Sequence, residues 1–179
     1  MKLIRQSILC FAVMTVILGG IYPAVVMGIA QTFFYDKANG SFLSVDHKKV
    51  GSALIAQEFT QDKFFWARPS AAGYNGAAST GSNYALINKD HQKAVAERKA
   101  LGLDFDLLTT SGSGLDPHIT PKAAYLQVPR IAKSRGIDED ALNQMVKDAV
   151  EERQFGLLGE ERVNVLLLNM KLENIIDER

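Results

Sequence analysis

Cysteine is almost missing from this sequence. The one cysteine, Cys10, lies inside an uncharged apolar run, so neither an intrachain disulfide nor a cysteine-based zinc site can form. Net charge is missing as well, because 20 basic and 20 acidic residues cancel. Lys2 and Arg5 precede the apolar run, which leaves the rest of the chain slightly acidic. A nucleic-acid binder needs a basic surface, and that class is excluded. Catalytic signatures are scarce. Gly73, Gly76 and Gly81 have no Lys-Ser or Lys-Thr pair after them, as a phosphate loop requires. There is no Gly-x-Gly-x-x-Gly fingerprint and no His-Glu-x-x-His pair, and no metal site is expected.

What the chain does have is one long apolar run, Ile8 to Ala30, without a charge. As a helix it rises about 35 Å, enough to cross the roughly 30 Å hydrocarbon core of a bilayer with some tilt. It is longer than the apolar region of a signal peptide, although Gly28-Ile29-Ala30 offers a cleavage-like triplet. The reading is therefore a retained single-pass helix. The flanking Lys2 and Arg5 put the amino terminus in the cytoplasm by the positive-inside rule. The expected organisation is a cytoplasmic 1–7, a transmembrane helix 8–30 and one extracytoplasmic, soluble α/β or α+β domain over 31–179. Within the run, Gly20, Ala24 and Gly28 recur every fourth residue, a spacing that lets a partner helix approach closely. Pro23 is expected to kink the helix there.

Past the run, Phe33, Phe34 and Tyr35 suit the membrane interface, and Asn39-Gly40 marks a turn. Residues 50–59 read as strand or short helix without a deciding period. A Gly-, Ala- and Ser-rich loop follows over 64–82. Ser82 or Asn83 is expected to cap a charged helix from Tyr84 to about Leu101, closed by Gly102. A second Gly-rich loop, 106–121, gathers Ser111, Gly112, Ser113, Gly114, Asp116 and His118. Ser113, Asp116 and His118 suggest a hydrolase, but the sequence lacks a Gly-x-Ser-x-Gly elbow, and tight turns explain the glycines. Thr120 caps the next helix, with Pro121 first, Pro129 as a kink and Gly136 as the stop. Arg68, Gln127 and Arg130 are candidates to support the 106–121 loop. Asp138 or Asp140 caps a helix carrying Leu142, Met145, Val146, Ala149 and Val150 at helical spacing. Residues 163–168 read as a buried strand, and Asn169 as the cap of a last helix with Leu172, Ile175 and Ile176.

These blocks have a recognisable order. Residues Gly51 to Gln57, Arg68-Pro69-Ser70 and Gly81-Ser82-Asn83 come first. Ser111 to Ile119 follows with Pro121, Gln127, Arg130, Arg135 and Gly136, and Arg162 to Leu166 comes last. With the amino-terminal anchor, they make the chain resemble the C subunit of the Kdp potassium-transporting P-type ATPase of bacteria. The resemblance implies a non-catalytic subunit in the inner membrane, its domain periplasmic. Its implied partners are membrane lipid, a channel-like A subunit, a P-type ATPase B subunit and a small F subunit. It also implies help in assembly and a chaperone-like rise in the ATP affinity of the B subunit, with ATP as the only associated cofactor. A domain outside the membrane cannot touch cytoplasmic ATP, so such an effect has to pass through the helices as a coupling between distant sites. The alternative is a membrane-tethered periplasmic hydrolase using Ser113, Asp116 and His118.

Overall fold

A computed structural model describes residues 1–45 and 48–177, with side chains through Glu173. The side chains of Ile175 and Ile176 lie outside the described residues. The chain forms two compact units, Met1–Ser52 and Ala53–Arg179.

The first unit is dominated by an apolar helical stretch, Lys2–Phe33, of 32 residues, in which an 18-residue window reaches a mean hydropathy of 2.2. It begins as α1 (Lys2–Val16), opens into a π-helical turn at Ile17–Ile21, and continues as α2 (Tyr22–Phe33). Pro23 explains the opening. It has no N–H to give the carbonyl of Gly19, and its ring crowds that carbonyl, so the turn before it widens instead of breaking. Ser7, Thr15 and Thr32 donate their hydroxyls to the carbonyls of Leu3, Phe11 and Gly28, so these three are satisfied within the helix itself. Phe34 leaves helical geometry, a short α3 (Tyr35–Ala38) follows, and Gly40 turns the chain with a φ of 95°. The unit ends in an antiparallel hairpin of β1 (Phe42–Val45) and β2 (Lys48–Ser52), with the Lys49 ammonium 4.4 Å from the Phe42 ring centre.

The second unit is a mixed helix and small-sheet domain. Its elements are α4 (Lys89–Ala100), β3 (His118–Ile119), α5 (Pro121–Arg135), α6 (Glu139–Asp148), β4 (Val150–Glu151), β5 (Arg162–Asn164) and α7 (Val165–Asp177). The sheet is antiparallel with β5 in the centre, pairing His118 with Asn164 and Ile119 with Val163 on one side, and Val150 with Val163 on the other. Helices α5, α6 and α7 bury Val128, Ile131, Leu142, Val146, Leu168 and Leu172 around Val163 and Phe65. Each such side chain removed from water stabilises the fold by about 1.5–3 kcal/mol. Local chemistry sets the helix ends. Thr120 accepts the N–H of Ala123, Asp138 accepts that of Ala141, and Gly136 ends α5 in the left-handed region at φ 66°. Helix α5 runs on through Pro129, whose missing bond would have gone to the carbonyl of half-exposed Tyr125.

Two expected elements are corrected. The helix expected from Tyr84 begins only at Lys89, because Asn88 accepts the N–H groups of Asp90 and His91, while Asn83 sits at φ 54° outside any helix. The strand expected over 163–168 stops at Asn164. The Asn164 side chain accepts the N–H of Leu167 at 3.1 Å and so caps α7, which takes Val165, Leu166 and Leu168 into its buried face. A continuous apolar run carries no period that separates the two outcomes.

Asn169 is therefore no cap but an interior residue of α7. It accepts the N–H of Phe65 at 2.8 Å and donates to the Phe65 carbonyl at 2.9 Å, all three groups buried. Asn169→Ala strands both backbone groups away from water and should cost about 2–4 kcal/mol. Chemical unfolding of the detergent-solubilised chain measures the loss; a change within about 0.5 kcal/mol, the usual range for a surface substitution, would refute this role.

Candidate functional site

The Gly-rich segment 111–118 is stitched to the irregular segment 68–81 along its length. Ser70 is the hub. Its hydroxyl donates to the Gly114 carbonyl at 2.5 Å and accepts the N–H groups of Ala72 and Tyr74. The Ser111 N–H donates to the Pro69 carbonyl, and both the Thr80 N–H and the Ser79 hydroxyl donate to the carbonyl of Ser113. The Tyr74 hydroxyl donates to the Arg68 carbonyl at 2.9 Å. Burial, reinforced by the charge of Glu58 and opposed by that of Arg98, raises the Tyr74 pKa and keeps it a donor.

Glycine is required where these segments touch. Gly114 has φ 70°, and a Cβ on it would stand 2.7 Å from the Thr80 carbonyl oxygen. At Gly112 a Cβ meets nothing within 4 Å.

Ser111 excepted, the polar side chains of the loop have partners. The Ser113 hydroxyl accepts the N–H of Leu115. Asp116 accepts the N–H of His118 at 3.0 Å, lies 3.4 Å from His118 Nδ1, and faces Arg68 at 3.7 Å. The hydrogen bond from the His118 side chain holds the Asp116 carboxyl below its ordinary range against the opposing cost of burial, with Arg68 a smaller aid. Since the folded-state value is depressed, this contribution is complete above the unfolded pKa near ~3.9 and fades as pH falls through the folded value. Arg68 also reaches the Thr110 carbonyl and the Thr109 hydroxyl. Ser111 is buried, and its hydroxyl has no partner among the described residues.

Ser113, Asp116 and His118 are thus close in the chain but do not form a relay. Among the described residues no hydrogen bond joins Ser113 to His118, and no group of three His, Cys, Asp or Glu residues is placed to hold a metal. Arg68 meets the loop. Gln127 and Arg130 do not: they bond to the backbone between Asp62 and Trp66. Arg130 also stacks on the Trp66 ring at 3.8 Å, and burial lowers its pKa, with Asp62 opposing. Gly20 lies in the widened π turn, whereas Ala24 and Gly28 follow on regular helix. Sequence reasoning missed Ser70 as the hub. It also missed Asp106, which accepts both the N–H and the hydroxyl of Thr120 and pins the start of α5. An aspartate before a Thr-Pro helix start was the available signal for Asp106.

The family described as KdpC, the c chain of the K+-transporting ATPase, matches residues 4–174, which takes in both the anchor and the domain. The chain belongs to the KdpC family. It is 50% identical to the potassium-transporting ATPase KdpC subunit of Geobacter metallireducens, over 96% of this chain and 97% of that protein. To the KdpC subunit of Geotalea uraniireducens it is 47% identical, over 98% and 99%. To that of Caldanaerobacter subterraneus subsp. tengcongensis it is 46% identical, over 94% and 93%. The chain is accordingly a non-catalytic subunit of the Kdp potassium-transporting complex. In it, the hydrogen bonds between 68–81 and 111–118 clasp the two segments together.

Gly114→Ala combines a left-handed backbone with a collision and should destabilise the domain by about 2–4 kcal/mol. Gly112→Ala should change stability by no more than about 0.5 kcal/mol. Parallel unfolding curves check the pair, and equal effects at the two positions would contradict the clasp.

Proposed function

We propose that this KdpC chain acts from the extracytoplasmic face as a brace for the other subunits: the channel-like A subunit, the P-type ATPase B subunit and the small F subunit. The observation that carries the reading is the long apolar helix, none of whose side chains is buried within the chain, joined to a domain in which Ser113 and Asp116 of the loop are engaged in structure. The helix spans the bilayer with Lys2 and Arg5 inside, which leaves 31–179 in the periplasm. Gly20, Ala24 and Gly28 offer a groove in which partner helices pack, with open space in front of both glycines. Through this helix the outer domain can influence ATP affinity at a distance, as a coupling free energy and without touching nucleotide. At its outer position the domain also shapes access of potassium to the channel-like subunit. Its slight acidic excess is too small to act as an ion funnel.

Tagged chain carrying Gly20→Leu and Gly28→Leu should recover less of the other subunits, by about ten-fold, the equivalent of roughly 1.4 kcal/mol at the helix interface. Undiminished recovery would reduce the helix to an anchor. Protease added outside spheroplasts should cut the domain; cutting only after lysis would reverse the topology.

A further inference from the structure

The connection between β4 and β5 carries a feature that neither the core nor the clasp uses. Its tip, residues 154–158, is tightly built. Gln154 and Leu158 exchange two backbone hydrogen bonds at 2.9 Å, the Leu157 N–H donates to the Gln154 carbonyl, and the Gly156 N–H donates to that of Arg153. Yet the side chains presented there are apolar and uncovered. Phe155 is 91% exposed, Leu157 81% and Leu158 60%. Phe155 also sits at φ 55°, a left-handed conformation that Cβ crowding penalises in a bulky residue, and it gains no packing within the chain in return. An ordered, strained turn that holds an aromatic and two leucines in water is the arrangement of an interface anchor.

The charges around the tip choose the occupant. Glu151 and Arg162 pair with each other at 2.9 Å. Glu152, Glu160 and Glu161 remain against Arg153, so the rim is acidic. Anionic lipid attracts basic rims and repels this one. An acidic collar around an apolar plug is complementary to a protein socket, apolar in its depth and lined by Lys or Arg at its mouth. Family membership supplies the source of that socket, since a KdpC chain works in a complex with other subunits. We propose that the 154–158 tip is a plug that seats in a basic-rimmed apolar socket on another subunit of the Kdp complex. The proposal rests on the brace reading and names the surface by which the domain does it.

The test uses the full-length tagged chain. A fluorophore is placed at the rim through Arg153→Cys in a Cys10→Ser background and measured alone and in the purified complex. Iodide quenching should be strong in the isolated chain and fall several-fold on assembly, with no quenching by nitroxide-labelled lipid. In a second arm, Phe155→Ser with Leu157→Ser should lower recovery of the other subunits about ten-fold or more, the effect expected when interface anchors are removed. The thermal midpoint of the isolated chain should stay unchanged, because these side chains pack on nothing in it. A rim label equally quenched in the complex, or unchanged recovery with the double substitution, overturns the plug. Quenching by labelled lipid overturns it in favour of a membrane contact. Protection that grows with concentration of the isolated chain overturns it in favour of a second copy. Whether the unsubstituted chain recovers any subunit at all tests the brace reading separately.

Discussion

The backbone from Asp62 to Trp66 runs through the domain without a strand beside it, and side chains from two helices supply what a strand would. The carbonyls of Asp62 and Phe64 receive Arg130, that of Lys63 receives Arg135, and both backbone groups of Phe65 pair with Asn169. Both backbone groups of Trp66 pair with Gln127. An amide side chain carries one donor face and one acceptor face, as a peptide unit does, so asparagine and glutamine can replace a strand one residue at a time. The arrangement fixes Phe65 in the core between α5 and α7. It also fixes where the chain emerges at Arg68, Pro69 and Ser70, the residues from which the clasp on 111–118 is built.

That dependence explains what was legible in the sequence. The starts of α5 and α6 and the end of α5 were readable because their causes are local: Thr120 and Asp138 cap within three residues, and Gly136 stops the helix where it stands. The end of α6 was not: it stops at Asp148, and Val150, expected on the helix, pairs in β4. The anchor was readable from its length and lack of charge, as was the mixed helix and sheet character of the domain. The roles of Gln127 and Asn169 were not, since their partners lie 61 and 104 residues away. The last strand and helix were misread for a related reason. In a run buried on all sides, the deciding residue is the polar Asn164 at its start, and its side chain reads equally well as sheet or cap until the partner is known. The Gly-rich loop suggested chemistry because serine, aspartate and histidine crowd together there. The same residue types make ST and Asx turns, and that is the use found for Ser113 and Asp116.

The anchor follows the same logic of accommodation. Pro23 costs the helix one hydrogen bond, and the π turn over Ile17–Ile21 absorbs that loss without ending the span. Flexible glycines at positions 19 and 20 lie inside the widened turn. A KdpC chain built in this way has no catalytic constellation to protect. Its polar side chains brace irregular backbone, and apolar side chains stay exposed along the helix and at the 154–158 tip, as they do at Leu86, Ile87 and Leu101.

On the proposed function, the serine, aspartate and histidine of the 111–118 loop serve structure, and the chain serves the pump by its presence and shape. Potassium-stimulated ATP hydrolysis by complexes purified with Ser113→Ala and His118→Ala tests this most directly, with the amount of this subunit measured in each preparation. Turnover per assembled complex should persist, and any loss should follow loss of the subunit itself. Abolished turnover in complexes that retain the substituted chain in full would contradict the account.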